Sequence, residues 1–286
     1  MKVFDYAQMD VFTANALEGN GLAVVFCDAF PPEAQMLALA REFKQFETIF
    51  LQPPQDGRLK ARIFTMEGEL PFAGHPLLGG ISAAHARYAP DAPRGAYVAD
   101  LPGQSVAVWC EKAPHGFTAR MRQGRASFLG TIPAAEVPYF LAAHGLTEAD
   151  LDPTLPVAVV STGLPYLLLP VRGCLPRARI VVTDLAERLA AHGAAYAYLF
   201  DADTLEARTW DNLGLVEDAA TGSAAGPLCA YLVREGRAAV GERLRIAQGA
   251  CAFRPSFLTA WVDGAGEVYV QGDVVPFAKG QFMLDE

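Results

Sequence analysis

One local pattern occurs twice along this chain, and it limits the folds open to it. In "GELPFAGHPLLGG" (68–80) and "EDAATGSAAGPL" (217–228), a turn of small residues runs directly into an apolar stretch. Each reads as the start of a helix, with Gly74 and Gly222 at the turns. A further Gly turn lies upstream of each, at Gly21 and at Gly163. Between the paired turns each half runs helix, strand, strand. Two similar halves could set two helix N-termini face to face across a cleft, a favoured place for a small-ligand site. Side-chain identity between the halves is thin, so the repeat is one of pattern. It divides the chain into 1–125 and 126–286, and leaves the last strand free to return to the first domain.

Alternating segments such as "KVFDYAQMDVF", "GNGLAVVF" and "LKARIFTM" read as strands. "PPEAQMLALAREF" (31–43) reads as a helix, opened by Pro and carrying Met36, Leu39, Ala40 and Phe43 at helical spacing. The turn at 74 predicts a helix with His75 at its cap and Pro76 as its first residue. Gly236 is placed to end the helix that begins near Gly222.

At 286 residues the chain makes one large or two modest domains, and its 52% hydrophobic content is enough for real cores. A net charge of −9 with no Lys/Arg run argues against a nucleic-acid surface or an anionic membrane. No stretch approaches 18 uninterrupted apolar residues. The N-terminus lacks an apolar signal core. A cytoplasmic protein is therefore expected. The five cysteines, Cys27, Cys110, Cys174, Cys229 and Cys251, are odd in number and scattered, as for reduced, mostly buried thiols. No metal and no cofactor is expected. Clustered ligands are missing, no Lys follows Gly222 as in a P-loop, and no GxGxxG follows a strand. "ATGSAAG" also lacks the spacing of a nucleophile elbow.

Three places could carry chemistry. At the first turn, the open N–H groups near Gly74 suit a carboxylate, and His75 can donate a hydrogen bond or move a proton. Capping of an ordinary surface helix accounts for the same residues. At the second turn, Thr221, Gly222 and Ser223 offer donors, while Glu217 and Asp218 suit an amine or a moving proton; capping by acids is again the alternative. Third, Glu47 stands between Phe46 and the strand residues Thr48, Ile49 and Phe50. Burial there would raise its pKa toward a proton shuttle's, whereas a strand-edge position would leave it in water. His85, His115, His144 and His192 read as structural or solvated.

Together these stretches resemble the PhzF family. "LEGNGLAVVF", "RIFTMEGELPFAGHPLLGG" and "EDAATGSAAGPL" are similar to its strongest signatures, and "LRIAQGACAFRPS" to its later Q-G-x-x-x-G-R-P-S segment. The resemblance runs along essentially the whole chain. It implies an α+β, diaminopimelate epimerase-like fold with two pseudo-symmetric domains, each a mixed or antiparallel sheet or barrel around a central helix, whose N-termini face the cleft between the domains. The related epimerases carry a catalytic Cys at each Gly turn, where this chain has Ala73 and Thr221. The activity implied is a cofactor-independent proton shift on trans-2,3-dihydro-3-hydroxyanthranilate in phenazine biosynthesis. Glu47, His75 and Asp218 are the implied catalytic residues, and Gly74, Thr221, Gly222 and Ser223 the implied substrate-binding residues. Another small amino or hydroxy acid, or a non-catalytic binding role, is the alternative. A homodimer is implied by analogy. Phe46, Met66 and Phe253 depart from the family pattern, which more often has Ser, Pro and Gly there.

Overall fold

The computed structural model describes residues 1–284. The chain divides into two units: Met1–Arg122 with the stretch from Gln271 onward, and Gln123–Val270. The expected boundary at 125/126 thus lies at 122/123, and the final stretch packs with the first unit.

The first unit contains β1 (Lys2–Val11), β2 (Asn20–Phe26), α1 (Glu33–Phe43), β3 (Glu47–Leu51), β4 (Arg58–Phe64), β5 (Glu69–Leu70), α2 (Gly74–Tyr88), β6 (Arg94–Leu101) and β7 (Gln104–Ala113), and β8 (Gly116–Arg125) leads out of it. The second contains β9 (Ser127–Thr131), α3 (Val137–Ala143), β10 (Ala158–Ser161), β11 (Pro165–Pro170), α4 (Leu185–Ala191), β12 (Tyr196–Asp201), β13 (Glu206–Arg208), α5 (Gly222–Arg234), β14 (Leu244–Gln248) and β15 (Ser256–Val262). The long β16 (Glu267–Leu284) carries the chain back into the first unit.

In the first unit the strands run β1-β2-β3-β4-β6-β7-β8-β16, and β16 pairs antiparallel with β1. Eight strands therefore close into a barrel and leave no open edge. Helix α2 lies against β1, β2, β3, β6 and β7 and is buried from Gly74 to His85. A helix apolar on every side belongs inside a core, and Leu77, Leu78, Ile81 and Ala84 face it all round. Gly79 permits the fit: a Cβ there would stand 2.5 Å from Leu22 Cδ2 and 2.7 Å from Val11 Cγ2. Outside the barrel, α1 sets Met36 and Leu39 into a cluster with Phe50 and Phe64.

The repeat read from the sequence is written in the strand pairings. β2/β3 is parallel, β3/β4 antiparallel and β4/β6 parallel. In the second unit, β11/β12 is parallel, β12/β13 antiparallel and β13/β14 parallel. Each series is followed by an antiparallel hairpin, β6/β7 and β14/β15. In the second unit α5 takes the place that α2 has in the first. It is buried from Gly222 to Leu232 and packs on β10, β11 and β15. A separate core gathers α3 and α4 around Phe140, Leu141, Leu185, Leu189 and Trp210.

Helix starts differ slightly from expectation. Helix α2 is capped by Ala73 and begins at Gly74, so Pro76 is its third residue rather than its first. The missing N–H still falls among the first four, which have no partner within a helix. At the far end of α5, Gly236 has φ +71, the left-handed conformation that stops a helix. The thiols of Cys27, Cys110, Cys174 and Cys229 are buried and that of Cys251 is exposed. No helix among the described residues is long and apolar enough to cross a membrane.

Phe253 has φ +57 and its side chain is 91% exposed. A left-handed backbone costs a bulky L-residue about 1–2 kcal/mol. That cost explains why the resemblance calls for Gly at this position. Phe253→Gly should raise stability by about 1 kcal/mol, since little packing is lost. Thermal denaturation checks this, and a lower Tm would mean that the ring has a partner.

Candidate active site

Three element starts meet in the first unit. Asn20 opens β2, Glu47 opens β3, and His75 is the second residue of α2. Because β2 and β3 pair in parallel, with Leu22 opposite Glu47, both strand starts lie at the same end of the barrel. The central helix delivers His75 to that end. The loop before β2 is pinned by Asp10, whose carboxylate accepts from the Leu17 backbone N–H at 2.7 Å.

Glu47 is buried, with 5% exposure, which decides between the two readings of its sequence position. Its Oε2 lies 3.2 Å from His75 Nε2. On the other side of the ring, His75 Nδ1 lies 3.2 Å from Asn20 Nδ2. Burial pushes the His75 pKa down to about 3, against a hydrogen bond to the backbone of Gly21 that works the other way. The imidazole is therefore neutral at pH 7. The hydrogen bond to the Gly21 backbone is one that the ring donates, and Nε2 makes no hydrogen bond in the structure, so the ring proton sits on Nδ1 and the bare Nε2 faces Glu47. A buried carboxyl group beside a neutral imidazole is suited to taking a proton and giving it back.

The second unit gathers another set. Asp218 Oδ2 accepts from the Thr221 hydroxyl at 2.5 Å. Ser223 Oγ and Tyr166 OH lie 2.7 Å apart. Asp218, Thr221 and Ser223 are all buried. Neither helix has a side-chain cap: Ala73 has no polar group to offer, and the Thr221 hydroxyl is turned onto Asp218. The starts at Gly74 and Gly222 thus keep the character of an anion site.

The paired acids have separate tasks. Glu217 makes a two-pronged pair with Arg208, Nε to Oε1 at 2.8 Å and Nη2 to Oε2 at 2.6 Å. Arg208 Nη1 also donates to the Leu175 and Ala178 carbonyls, and the guanidinium lies 4.5 Å from the Trp210 ring centre. Neighbouring residues in an extended segment point to opposite sides. One acid therefore anchors the loop while the next faces the α5 turn.

Several partners escaped the sequence reading. Asn20, Gln248 and Tyr166 touch candidate residues from strands far away in sequence, and Tyr198 touches Gln248. Asn20 and Gln248 fall inside quoted signatures, which was the available signal. The tyrosines look like ordinary strand residues. No group of three or more His, Cys, Asp or Glu side chains among the described residues could hold a metal.

Two buried histidines give the protein an acid weakness. His144 donates from Nδ1 to the Phe140 carbonyl at 2.7 Å, and burial lowers its pKa to about 4. Folded His75 and His144 refuse a proton that the unfolded chain accepts below about pH 6.5. Stability should fall as pH drops from about 6.5 to 4 for His144 and to 3 for His75, by about 1.4 kcal/mol per unit for each. The lowered carboxylates of Asp150 and Asp152 act only below their usual range near 3.8. Urea midpoints across pH 4–7 test this, and a flat profile would refute it. His144→Asn should remove about half of the slope.

Comparison with known proteins gives the family and the fold. The model of the PhzC-PhzF family, "Phenazine biosynthesis-like protein", matches residues 9–280. The chain belongs to this family. A trans-2,3-dihydro-3-hydroxyanthranilate isomerase from Pseudomonas aeruginosa is 34% identical, over 98% of this chain and 99% of that protein. A solved structure described as a predicted epimerase, also from Pseudomonas aeruginosa, is 49% identical with TM-score 0.93, covering 98% of this chain and 99% of the other. A hydroxyproline epimerase from Agrobacterium vitis is 14% identical with TM-score 0.67, covering 99% and 93%, a likeness of fold alone. This PhzF-family chain has the α+β, diaminopimelate epimerase-like fold.

Proposed function

We propose that this protein is a cofactor-independent isomerase that shifts a proton on trans-2,3-dihydro-3-hydroxyanthranilate. Glu47 takes the proton from C3 and returns it elsewhere on the ring system. His75, neutral, accepts from the substrate hydroxyl through Nε2 and so steers the substrate toward the Glu47 carboxyl group. Asp218 holds the amine. The N–H groups at Gly74 and Gly222, with the Ser223 hydroxyl, hold the substrate carboxylate. The observation that carries this reading is the burial of Glu47 at 3.2 Å from His75 Nε2. A single base that carries one proton between two carbons needs a place where water does not exchange it. The isomerase relative at 34% identity supports the choice of substrate.

A second reading rests on the 49% identical relative described as a predicted epimerase. Under it, Glu47 works at a stereocentre of another small amino or hydroxy acid. Proton NMR of the purified protein with the dihydro-hydroxyanthranilate in D2O tests the first reading. Rapid consumption is the expected result. An untouched compound would end that assignment, and solvent deuterium entering another acid would support the second. Tight binding with no exchange in any candidate would mark a binding protein.

A further inference from the structure

The Q-G pair in "LRIAQGACAFRPS" has no part in the chemistry above. The structure ties it to the Asp218 turn. Gln248, the last residue of β14, is 4% exposed. Its Oε1 accepts from the Thr221 backbone N–H at 3.1 Å and from the Tyr198 hydroxyl at 3.0 Å. Its Nε2 donates to the Asp218 carbonyl at 2.8 Å and to the Thr221 hydroxyl oxygen at 2.9 Å. Both acceptor sites and both donor hydrogens are in use. Gly249 lets the chain close on the same turn, since a Cβ there would stand 2.5 Å from the Ala219 carbonyl oxygen.

Two backbone groups settle the direction of this network. The Thr221 N–H can only donate and the Asp218 carbonyl can only accept, so the amide of Gln248 has one orientation. Its NH2 then faces the Thr221 hydroxyl, which must accept. A hydroxyl has one proton, and with its oxygen occupied that proton goes to the neighbour that can take it, Asp218 Oδ2 at 2.5 Å. We infer that Gln248 is a positioning residue that, through the Thr221 hydroxyl, fixes which oxygen Asp218 presents to the substrate. Thr221 then serves Asp218 rather than touching the substrate through its hydroxyl. The inference rests on the proposed role of Asp218 in holding the amine.

The test compares wild type with Thr221→Val, Thr221→Ser and Gln248→Met. The carboxyl titration of Asp218 is followed by carbon NMR, assigned with Asp218→Asn. Loss of a hydrogen bond donated to a carboxylate favours its protonated form. The midpoint should rise by about one pH unit in Thr221→Val and Gln248→Met, and stay at the wild-type value in Thr221→Ser. The acid limb of the pH–rate profile should follow, with turnover at neutral pH down about tenfold. A midpoint unmoved in Thr221→Val would overturn the inference, even if that variant melts earlier. Thr221→Val leaves every Gln248 bond to the backbone in place, so it decides the matter if Gln248→Met folds poorly. The titration needs no substrate, so inactivity of the wild type toward the dihydro-hydroxyanthranilate would count against the proposed reaction and not against this one.

Discussion

Glu47→Gln should lower turnover by about 10³-fold, the scale expected when a general base is removed from a proton transfer. Gln has nearly the volume of Glu and fits the same pocket between Asn20, His75 and the start of β3. It offers no proton acceptor of comparable strength. Folding should not suffer, because Gln is nearly isosteric with Glu and brings no charge into a site with 5% exposure. The melting temperature of the variant is therefore expected at or above that of wild type, and substrate should still bind. Initial rates and thermal denaturation on one preparation measure both quantities. Activity within a few fold of wild type would place the base elsewhere. Inactivity together with a collapsed melting temperature would show that Glu47 serves the fold first.

The largest effect on stability is expected at Glu217. Its side chain is 12% exposed and that of Arg208 is 11% exposed, so the pair is held largely away from water. Glu217→Ala leaves the guanidinium buried with only two carbonyls and the Trp210 face as company. Breaking one side of a buried pair costs about 3–5 kcal/mol. Glu217 also forms a bridge with Trp210, at the foot of the loop that leads to Asp218. The loss should therefore appear both as a lower urea midpoint and as a disturbed Asp218 signal. The double variant Arg208→Met, Glu217→Leu should recover part of the stability, because no unpaired charge remains. A Glu217→Ala midpoint close to wild type would show that the pair contributes little.

Several features could be read before any coordinates. The turns at Gly74 and Gly222 signalled two helix starts because small residues, a Gly and an apolar run together leave few alternatives. The repeat was visible as a rhythm of elements, although few side chains repeat. Glu47 drew notice as an acid between Phe46 and an apolar strand. Sequence could not say whether it faced water or the core. Barrel closure settles that, since it depends on β16 pairing with β1 from the far end of the chain.

The amino-acid sequence by itself determined the local elements of this protein: the strands, the two helix starts at the Gly74 and Gly222 turns, and the identity of the reactive groups. These depend on residues within a few positions of each other, through backbone preference and hydrophobic period. The tertiary structure alone decided the partners. Asn20 meets His75 across 55 residues, Gln248 meets Thr221 across 27, and Tyr166 meets Ser223 across 57. It also sent Glu217 to Arg208 and Asp218 to Thr221, though the two acids are neighbours. Hydrogen bonds act over about 3 Å, and which distant atoms come that close is set by strand register and barrel closure, which no short stretch of sequence encodes.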